Sequence, residues 1–431
     1  MTDSLATQPM SGWRPSKAWA RYRGLSRNYW IFFVAALLYE SGIGLYFFLF
    51  NLFLLDLGFD KAAIGLINGA FSLGVLTATL PVGMLSRKLG NHSLLLFCFA
   101  AAPSLGALRA LWMWEPAQIG LAFTAGLVMS IWTVCFLPVS SSLTSESNRA
   151  SAIALILSVG IAATALGSAG SGYLSHWIGI IRPKFGAADV KRVALVISCA
   201  VAALGSLPLL RLPKPDVLLR AETAARAWDV HLLRNPFLRR FLPCMALWTS
   251  LLAAFTPFAG IYFVLERHLV FGRIGLVFSA SQLAPLAVAL LIPMMVNRWG
   301  MLQSILITQL ATALLLIAMV VSGGPGWSAA AFVVYSATQW MSSTASYTLL
   351  MNAMPDVDRS PATAMTMFSN SLGSVCAVSA AGMLLDRFHF APALLAIAIL
   401  EAATAILFQL LLRDRRGPRS RPALCAETAM D

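Results

Sequence analysis

Charge is what this sequence is short of. Only 11% of its 431 residues are Asp, Glu, Lys or Arg, whereas a soluble domain carries about a quarter, so a water-solvated globular surface is excluded. Histidine is scarce too. His92, His176, His231, His268 and His389 all fall in or beside predicted loops and no H-E-x-x-H occurs, which removes the arrangement that metal-dependent intramembrane chemistry needs. No G-x-x-x-x-G-K-[ST] stretch is present, so the chain carries no phosphate cradle for ATP-driven pumping. Six cysteines show no C-x-x-C spacing: Cys98, Cys135, Cys199, Cys244 and Cys376 lie singly in apolar stretches and Cys425 in the tail. Neither a metal site nor a disulfide framework follows. We expect no enzymatic activity, no cofactor and no metal.

What the chain has in abundance is apolar sequence. With 58% hydrophobic residues and a mean hydropathy of +0.76, it reads as an integral membrane protein built of helices, because lipid offers no partner to open backbone groups. The net charge of +13 does not imply nucleic acid, since the basic residues sit in the connections rather than on a water-exposed domain. About 20 apolar residues are needed to cross the hydrocarbon, and twelve such spans are predicted near 29–57, 62–86, 93–112, 117–139, 150–175, 192–211, 241–265, 273–296, 301–321, 327–350, 361–385 and 391–412. The first is too long for the apolar region of a secretory signal and no small-residue cleavage site follows it, so it is expected to be retained. Most Lys and Arg fall in the connections that are inside if the N-terminus is inside, among them Arg14, Lys17, Arg21, Arg23 and Arg27 at the start and Arg413, Arg415, Arg416, Arg419 and Arg421 at the end. Positive loops stay cytoplasmic, so both termini are expected in the cytoplasm, with the protein in a bacterial inner membrane.

The interval 212–240 is the longest polar stretch and divides the spans six and six. Pro213 and Pro215 end the sixth span; the later part reads either as a solvated linker or as an amphipathic helix on the anionic inner leaflet. The expected divisions are a tail 1–28, a bundle 29–211, the linker 212–240, a bundle 241–412 and a tail 413–431. The halves also match one another. An offset of 210 residues sets Arg149 on Arg359, Glu146 on Asp356, Lys88 on Arg298 and Gly90 on Gly300. Two separate loops agreeing on one offset point to parallel six-span repeats, a transporter architecture with its site near the midplane between the halves.

The residues Gly83 to His92, GMLSRKLGNH, are similar to the G-x-L-a-D-R-x-G-R-R loop of the major facilitator superfamily, and the Arg149 and Arg359 loops resemble that family's paired arginines. The resemblance covers nearly the whole chain and implies twelve transmembrane helices in two pseudo-symmetric six-helix bundles. It also implies a cytoplasmic gate at Gly83, Arg87, Lys88, Gly90, Arg149, Arg298, Asp356 and Arg359. Here Arg87 stands where the family has an aspartate that helps to close the cytoplasmic side, and Asn91 and His92 replace its closing basic pair. Lys88 fills the basic position. The glycine-proline pair usual in span 5 of the family's antiporters is absent from 150–175. The central cavity implied by the resemblance is lined mainly by spans 1, 4, 7 and 10.

Span 1 carries Glu40 inside an oily run, LLYESGIGLYFFLFNLFLL. A charge at bilayer depth costs roughly 2.5–3.5 kcal/mol on insertion scales, so something must offset it. Phe33, Glu40, Phe47 and Asn51 recur at seven, seven and four and share one helical stripe. Glu40 has two readings: a proton-binding group that couples protons to solute movement, or a structural carboxyl that fixes helix packing. Its LYE setting resembles the embedded acid of some multidrug/proton antiporters. Glu401, equally deep in span 12, reads as a second proton-binding group or as a helix-packing or snorkelling side chain, and Arg109 reads as a counter-charge or as a snorkelling side chain. In span 10, Tyr335, Gln339 and Ser342 lie on one face and Trp340 adds a stacking surface, which reads as a ligand wall or as interhelical bonding. Further wall candidates are Trp248, Thr256 and Tyr262 in span 7, where Pro257 predicts a kink or break, together with Trp132, Asn68, Gln282 and Asn370. Many aromatics with scattered amides suit a small, amphipathic organic solute. The expected activity is alternating-access transport of such a solute by a monomer, with protons as the second partner and export as the direction. Proton-linked uptake, facilitated diffusion and a receptor that has lost transport are the alternatives.

Overall fold

A computed structural model describes residues 25–212, 230–288, 291–321 and 323–413. Among them there is no strand. The first half comprises α1 (Arg27–Asp56), α2 (Lys61–Leu89), α3 (Asn91–Leu111), α4 (Glu115–Ser142), α5 (Glu146–Ile181) and α6a (Ala187–Leu204) with its short continuation α6b (Ser206–Leu210). In the second half a 3-10 turn (Val230–Arg234) precedes α7a (Pro236–Phe255), the 3-10 turn Thr256–Phe258 and α7b (Ala259–Leu265). Then follow α8a (Phe271–Val288), α8b (Leu291–Trp299), α9 (Met301–Val321), α10 (Pro325–Ala353), α11 (Asp356–Arg387) and α12 (Phe390–Arg413).

These rods match the twelve predicted spans. Eleven helices or collinear helix pairs are long and apolar enough to cross a membrane. The remaining rod, α10, has the length at 29 residues, but its hydropathy is lowered by the Ser, Thr and Gln run from Ser336 to Thr344. The linker expected at 212–240 is shorter on its C-terminal side. Asn235 caps α7a by accepting from Phe237 N at 2.9 Å, and Pro236 takes the first helical position, where its missing N–H costs nothing. Residues 213–229, and of the expected tails 1–24 and 414–431, lie outside the described residues.

Local chemistry sets the ends. Ser26 caps α1 through Tyr29 N at 3.1 Å and donates to Leu143 O at 3.0 Å, tying α1 to the end of α4. Asp60 caps α2 through Ala63 N at 2.6 Å. Pro257 breaks α7 as predicted, since it can neither donate to the ladder nor clear the preceding turn. The two halves repeat each other: α1 packs on α5 and α2 on α4, and correspondingly α7a packs on α11 and α8a on α10. Gly90 and Gly300, one repeat apart, both adopt positive φ, at 78° and 81°, and each separates two helices.

The start of α1 and the end of α12 lie at one end of the bundle, called the terminal end; the α1–α2 connection lies at the far end. The apolar core differs between them. Toward the far end one continuous cluster joins the halves, running from Phe48, Phe53 and Ile64 to Phe255, Phe258, Ile274 and Phe390. Toward the terminal end the core is divided. Phe32, Tyr39, Phe99 and Trp132 pack within the first half, and Leu238, Phe241, Met245 and Phe408 within the second. Two close helix crossings fasten the far end. A Cβ built on Gly65 would lie 2.8 Å from Gly382 Cα, and one on Gly172 2.7 Å from Gly272 Cα, so α2·α11 and α5·α8a approach to a distance that only hydrogen side chains permit. Lys61 Nζ adds a bond to Leu385 O at 2.7 Å across the same seam.

Candidate functional site

Below the fused far end the halves part around a cavity of about 440 Å³. Its walls come from Glu40, Phe47 and Asn51 of α1, Asn68 of α2, Met129 and Trp132 of α4, and Thr164 and Ser168 of α5. Thr256 and Pro257 of the α7 break and Phe278 and Gln282 of α8a complete them. A compartment of about 200 Å³ shares Glu40, Thr164 and Gln282 with this cavity and extends toward the terminal end past Phe33, Phe136 and Ile156. A third, of about 300 Å³, lies between Ile161 of α5, Pro285 and Pro293 of α8, and Trp340, Met341 and Thr344 of α10.

Glu40 is half-buried on this wall. Trp132 Nε1 donates to Glu40 Oε1 at 2.8 Å, and Thr164 Oγ1 faces Oε2 at 3.4 Å. One carboxyl thus binds α1 to both α4 and α5, and the two donors with the open crevice offset the cost that its depth imposes. The indole is itself held: Trp132 packs on Tyr39 at 5.1 Å and Phe136 at 4.5 Å between ring centroids, and Tyr39 stacks on Phe99 at 4.1 Å. Its donor is therefore aimed before any ligand arrives. Three turns farther along α1, Asn51 Nδ2 donates to Pro257 O at 2.9 Å. That carbonyl lies in the α7 break, outside regular helix. Asn68 Nδ2 donates in turn to Asn51 Oδ1 at 3.0 Å, so an amide pair closes the cavity between the halves.

Phe33, Glu40, Phe47, Asn51, Asn68, Trp132, Thr256 and Gln282 therefore gather around one connected space, while Trp340 faces the third compartment and is 54% exposed. The other expected wall residues lie elsewhere. Trp248 is fully enclosed in the second half. Tyr262 donates to Met319 O at 2.7 Å and accepts from Arg267 Nε at 2.7 Å near the far end. Tyr335 donates to Glu401 Oε1 at 3.4 Å, and Gln339 follows one turn later, half-buried. Asn370 Nδ2 donates to Tyr347 OH at 3.4 Å. The polar stripe of α10 is real, but its Tyr335 turns into the bundle, where α9 packs against both α10 and α12. Glu401, enclosed there beside Thr312, also lies off the crevice. A polar stripe must avoid lipid, and a carboxyl on a neighbouring helix satisfies that as well as a wet cavity does.

Thr164 and Ser168 were not foreseen, although Gly160, Thr164, Ser168 and Ser171 of α5 recur at four, four and three and mark a small, polar face. Arg109 is buried over the Phe50 ring at 4.1 Å, with Nε facing Gln118 Oε1 at 3.5 Å, so it does not snorkel; the small pocket it lines shares Ile43, Phe47 and Met129 with the main cavity. The expected gate positions all lie at the terminal end. Gly83 is half-buried, and Lys88, Arg149, Arg298 and Arg359 are exposed. Arg359 Nε donates to Met351 O at 2.8 Å, and Arg298 lies 5.5 Å from the Trp299 ring. The side chains of Arg87 and Asp356 lie outside what is described.

Among solved structures, a single-residue variant of the nucleoside transporter NupG superposes with a TM-score of 0.77 at 14% identity, covering 89% of this chain and all of that one. An inward-facing, unoccupied bacterial homologue of the human lysosomal transporter Spinster gives 0.69 at 13% identity, over 90% and 98% of the two chains. A variant of the E. coli fucose:proton symporter FucP gives 0.56 at 15% identity, over 89% and 98%. These likenesses concern the fold. No curated protein sequence matches. The model of the Major Facilitator Superfamily matches residues 32–357 and 268–424; with the two repeated bundles and the crevice between them, the chain belongs to that superfamily.

Proposed function

We propose that the protein is a secondary transporter that moves a small, amphipathic organic solute by alternating access, with Glu40 as the proton-coupling group and export as the direction. The observation that carries this reading is the place of Glu40: a deep carboxyl on the wall of the crevice between the halves, next to amide and aromatic side chains that can meet a solute. Oriented with the termini in the cytoplasm, the crevice opens inward and the far end is the closed outer gate. The terminal-end residues Lys88, Arg149, Arg298 and Arg359 then belong to the gate that closes in the opposite state. Glu401, sealed within the second bundle, is a packing group in this reading.

The test is flux in proteoliposomes with and without a pH gradient, comparing the native protein with Glu40→Gln. Gradient-driven flux in the native protein, and binding without coupling in the glutamine form, are expected. Equal, pH-indifferent transport by both would make Glu40 structural and the protein a facilitator. Proton-linked uptake is the second reading; the similarity in fold to a fucose:proton symporter favours it, and the sign of the gradient that drives accumulation separates the two.

A further inference from the structure

We infer that the small pocket behind Phe47, inside the first bundle, binds one weakly hydrated monovalent anion of the halide class on the guanidinium of Arg109. This site stands apart from the solute crevice and does not depend on which solute is moved.

The pocket is built where α3 ends. Arg109 lies in the last turn of α3. Gly106, one turn earlier, lets that helix close on α1 and α6a, since a Cβ there would lie 2.9 Å from Cys199 Sγ and 3.2 Å from the Tyr46 ring. The guanidinium is turned inward and is only 4% exposed. It lies over Phe50, which stacks on Tyr46 at 5.0 Å between ring centroids. Its Nε has the long contact to Gln118 Oε1, an amide fixed by its own bonds to Arg109 O and Trp112 O. Neither Nη finds an acceptor among the described residues. A guanidinium does not shed its proton, so a charge this deep needs a counter-charge.

The described side chains supply none. Arg109 is the one charged residue lining the pocket. Of the acids toward this end of the first bundle, Asp56 pairs with Lys191 at 2.6 Å and Asp189 with Arg192 at 3.0 Å. Asp60 caps α2 and Glu115 is exposed. Glu40 lines the crevice instead and accepts from Trp132 and Thr164. What Arg109 faces is a space of about 30 Å³. A water needs about 10–15 Å³, so a halide with one water fits and an organic anion does not.

The walls also select among small anions. Apart from Arg109 only Tyr46, Ser198 and Cys199 carry polar hydrogens there, and Ser198 Oγ already donates to Leu195 O at 2.6 Å. The Tyr46 bond to Gly106 O is long, at 3.3 Å, so that hydroxyl can turn to the ion. One fixed positive charge and one spare hydroxyl suit a single, loosely hydrated negative charge; sulfate or phosphate would be left with unmet charge and hydration. Because Ile43, Phe47 and Met129 line the main cavity as well, the ion enters from the crevice past the Phe47 ring. Once bound, it holds α1, α3 and α6a together from behind that wall.

Chlorine NMR line broadening on the full-length protein, purified in an uncharged detergent, tests this with sodium chloride as the probe. A chain of net charge +13 also gathers chloride at its surface, so the readout is the saturable broadening above a detergent blank. In the native protein bromide should reverse it, while gluconate and sulfate at equal ionic strength should not. Arg109→Gln should weaken chloride at least about tenfold, and Arg109→Lys, which keeps the charge, should fall between. Crystals of the native protein soaked in bromide need no variant to fold, and should show an anomalous peak at hydrogen-bond distance from Arg109 Nη. No saturable broadening in the native protein, equal broadening by a folded Arg109→Gln, equal displacement by gluconate, or bromide peaks at exposed basic side chains alone would each overturn the inference.

Discussion

At the scale of single residues, the chemistry of the crevice turns on how Glu40 is held. Its two donors come from different helices, and Trp132 does two jobs: it donates through Nε1 and fills the aromatic stack of Tyr39, Phe99 and Phe136. Substitutions separate them. Trp132→Phe keeps most of the stack and loses the donor, a cost of about 1–3 kcal/mol when an acceptor is left unpaired; Trp132→Ala also empties the stack, raising the cost to about 3–5 kcal/mol. Thermal unfolding in detergent should therefore rank native above Trp132→Phe above Trp132→Ala, with the first step at a few degrees. Equal melting of all three would show that neither the bond nor the stack supports α4. Glu40, Trp132 and the α1 stripe were legible in the sequence because a charge in oil and a seven-residue recurrence are strong signals. Trp248, Tyr335 and Glu401 misled because periodicity shows which residues share a face, and does not show whether that face meets a crevice or another helix.

At the scale of elements, the helices with the longest reach across the seam, α2 with α11 and α5 with α8a, touch through glycine pairs near one end only. Such a crossing tolerates no side chain without moving a backbone. Gly382→Leu places a branched side chain where Gly65 Cα and Lys61 O already lie at contact, so α2 and α11 must separate at the far end. Spin labels on Phe59→Cys and His389→Cys, in a background whose native cysteines are replaced by serine, should report a longer far-end distance in Gly382→Leu than in its parent; an unchanged distance would mean that the crossing yields elsewhere. Span positions and the Pro257 break were readable, since apolar length and a missing N–H act locally. The glycine contacts were not, because Gly65 and Gly382 lie far apart in sequence and nothing local distinguishes them from glycines such as Gly120 and Gly326, which meet open space.

At the scale of the whole molecule, the division of the core is the feature that alternating access requires. One apolar cluster spans both halves toward the far end, while toward the terminal end each half keeps its own. The repeat at an offset of 210 residues made the two bundles legible, and the paired conformations of Gly90 and Gly300 carry it into the backbone. Which end is closed was not legible, because the same sequence must support both arrangements and they differ only in which contacts across the seam are made. If the halves exchange these contacts during transport, a bond that cannot open at the far end must stop turnover without emptying the site. Lys61 Nζ lies 5.6 Å from the Phe390 ring centroid across the seam, so Lys61→Cys and Phe390→Cys, joined by a short bis-maleimide in the cysteine-replaced background, hold α2 against α12. Net flux in proteoliposomes should fall to the protein-free rate, whereas ligand binding in detergent should persist, because the crevice stays open at the terminal end. Either single-cysteine form treated with the same reagent should transport normally. Full-rate flux through the doubly linked protein would mean that solute crosses without the far end opening, and rocking of the two bundles would no longer describe this transporter.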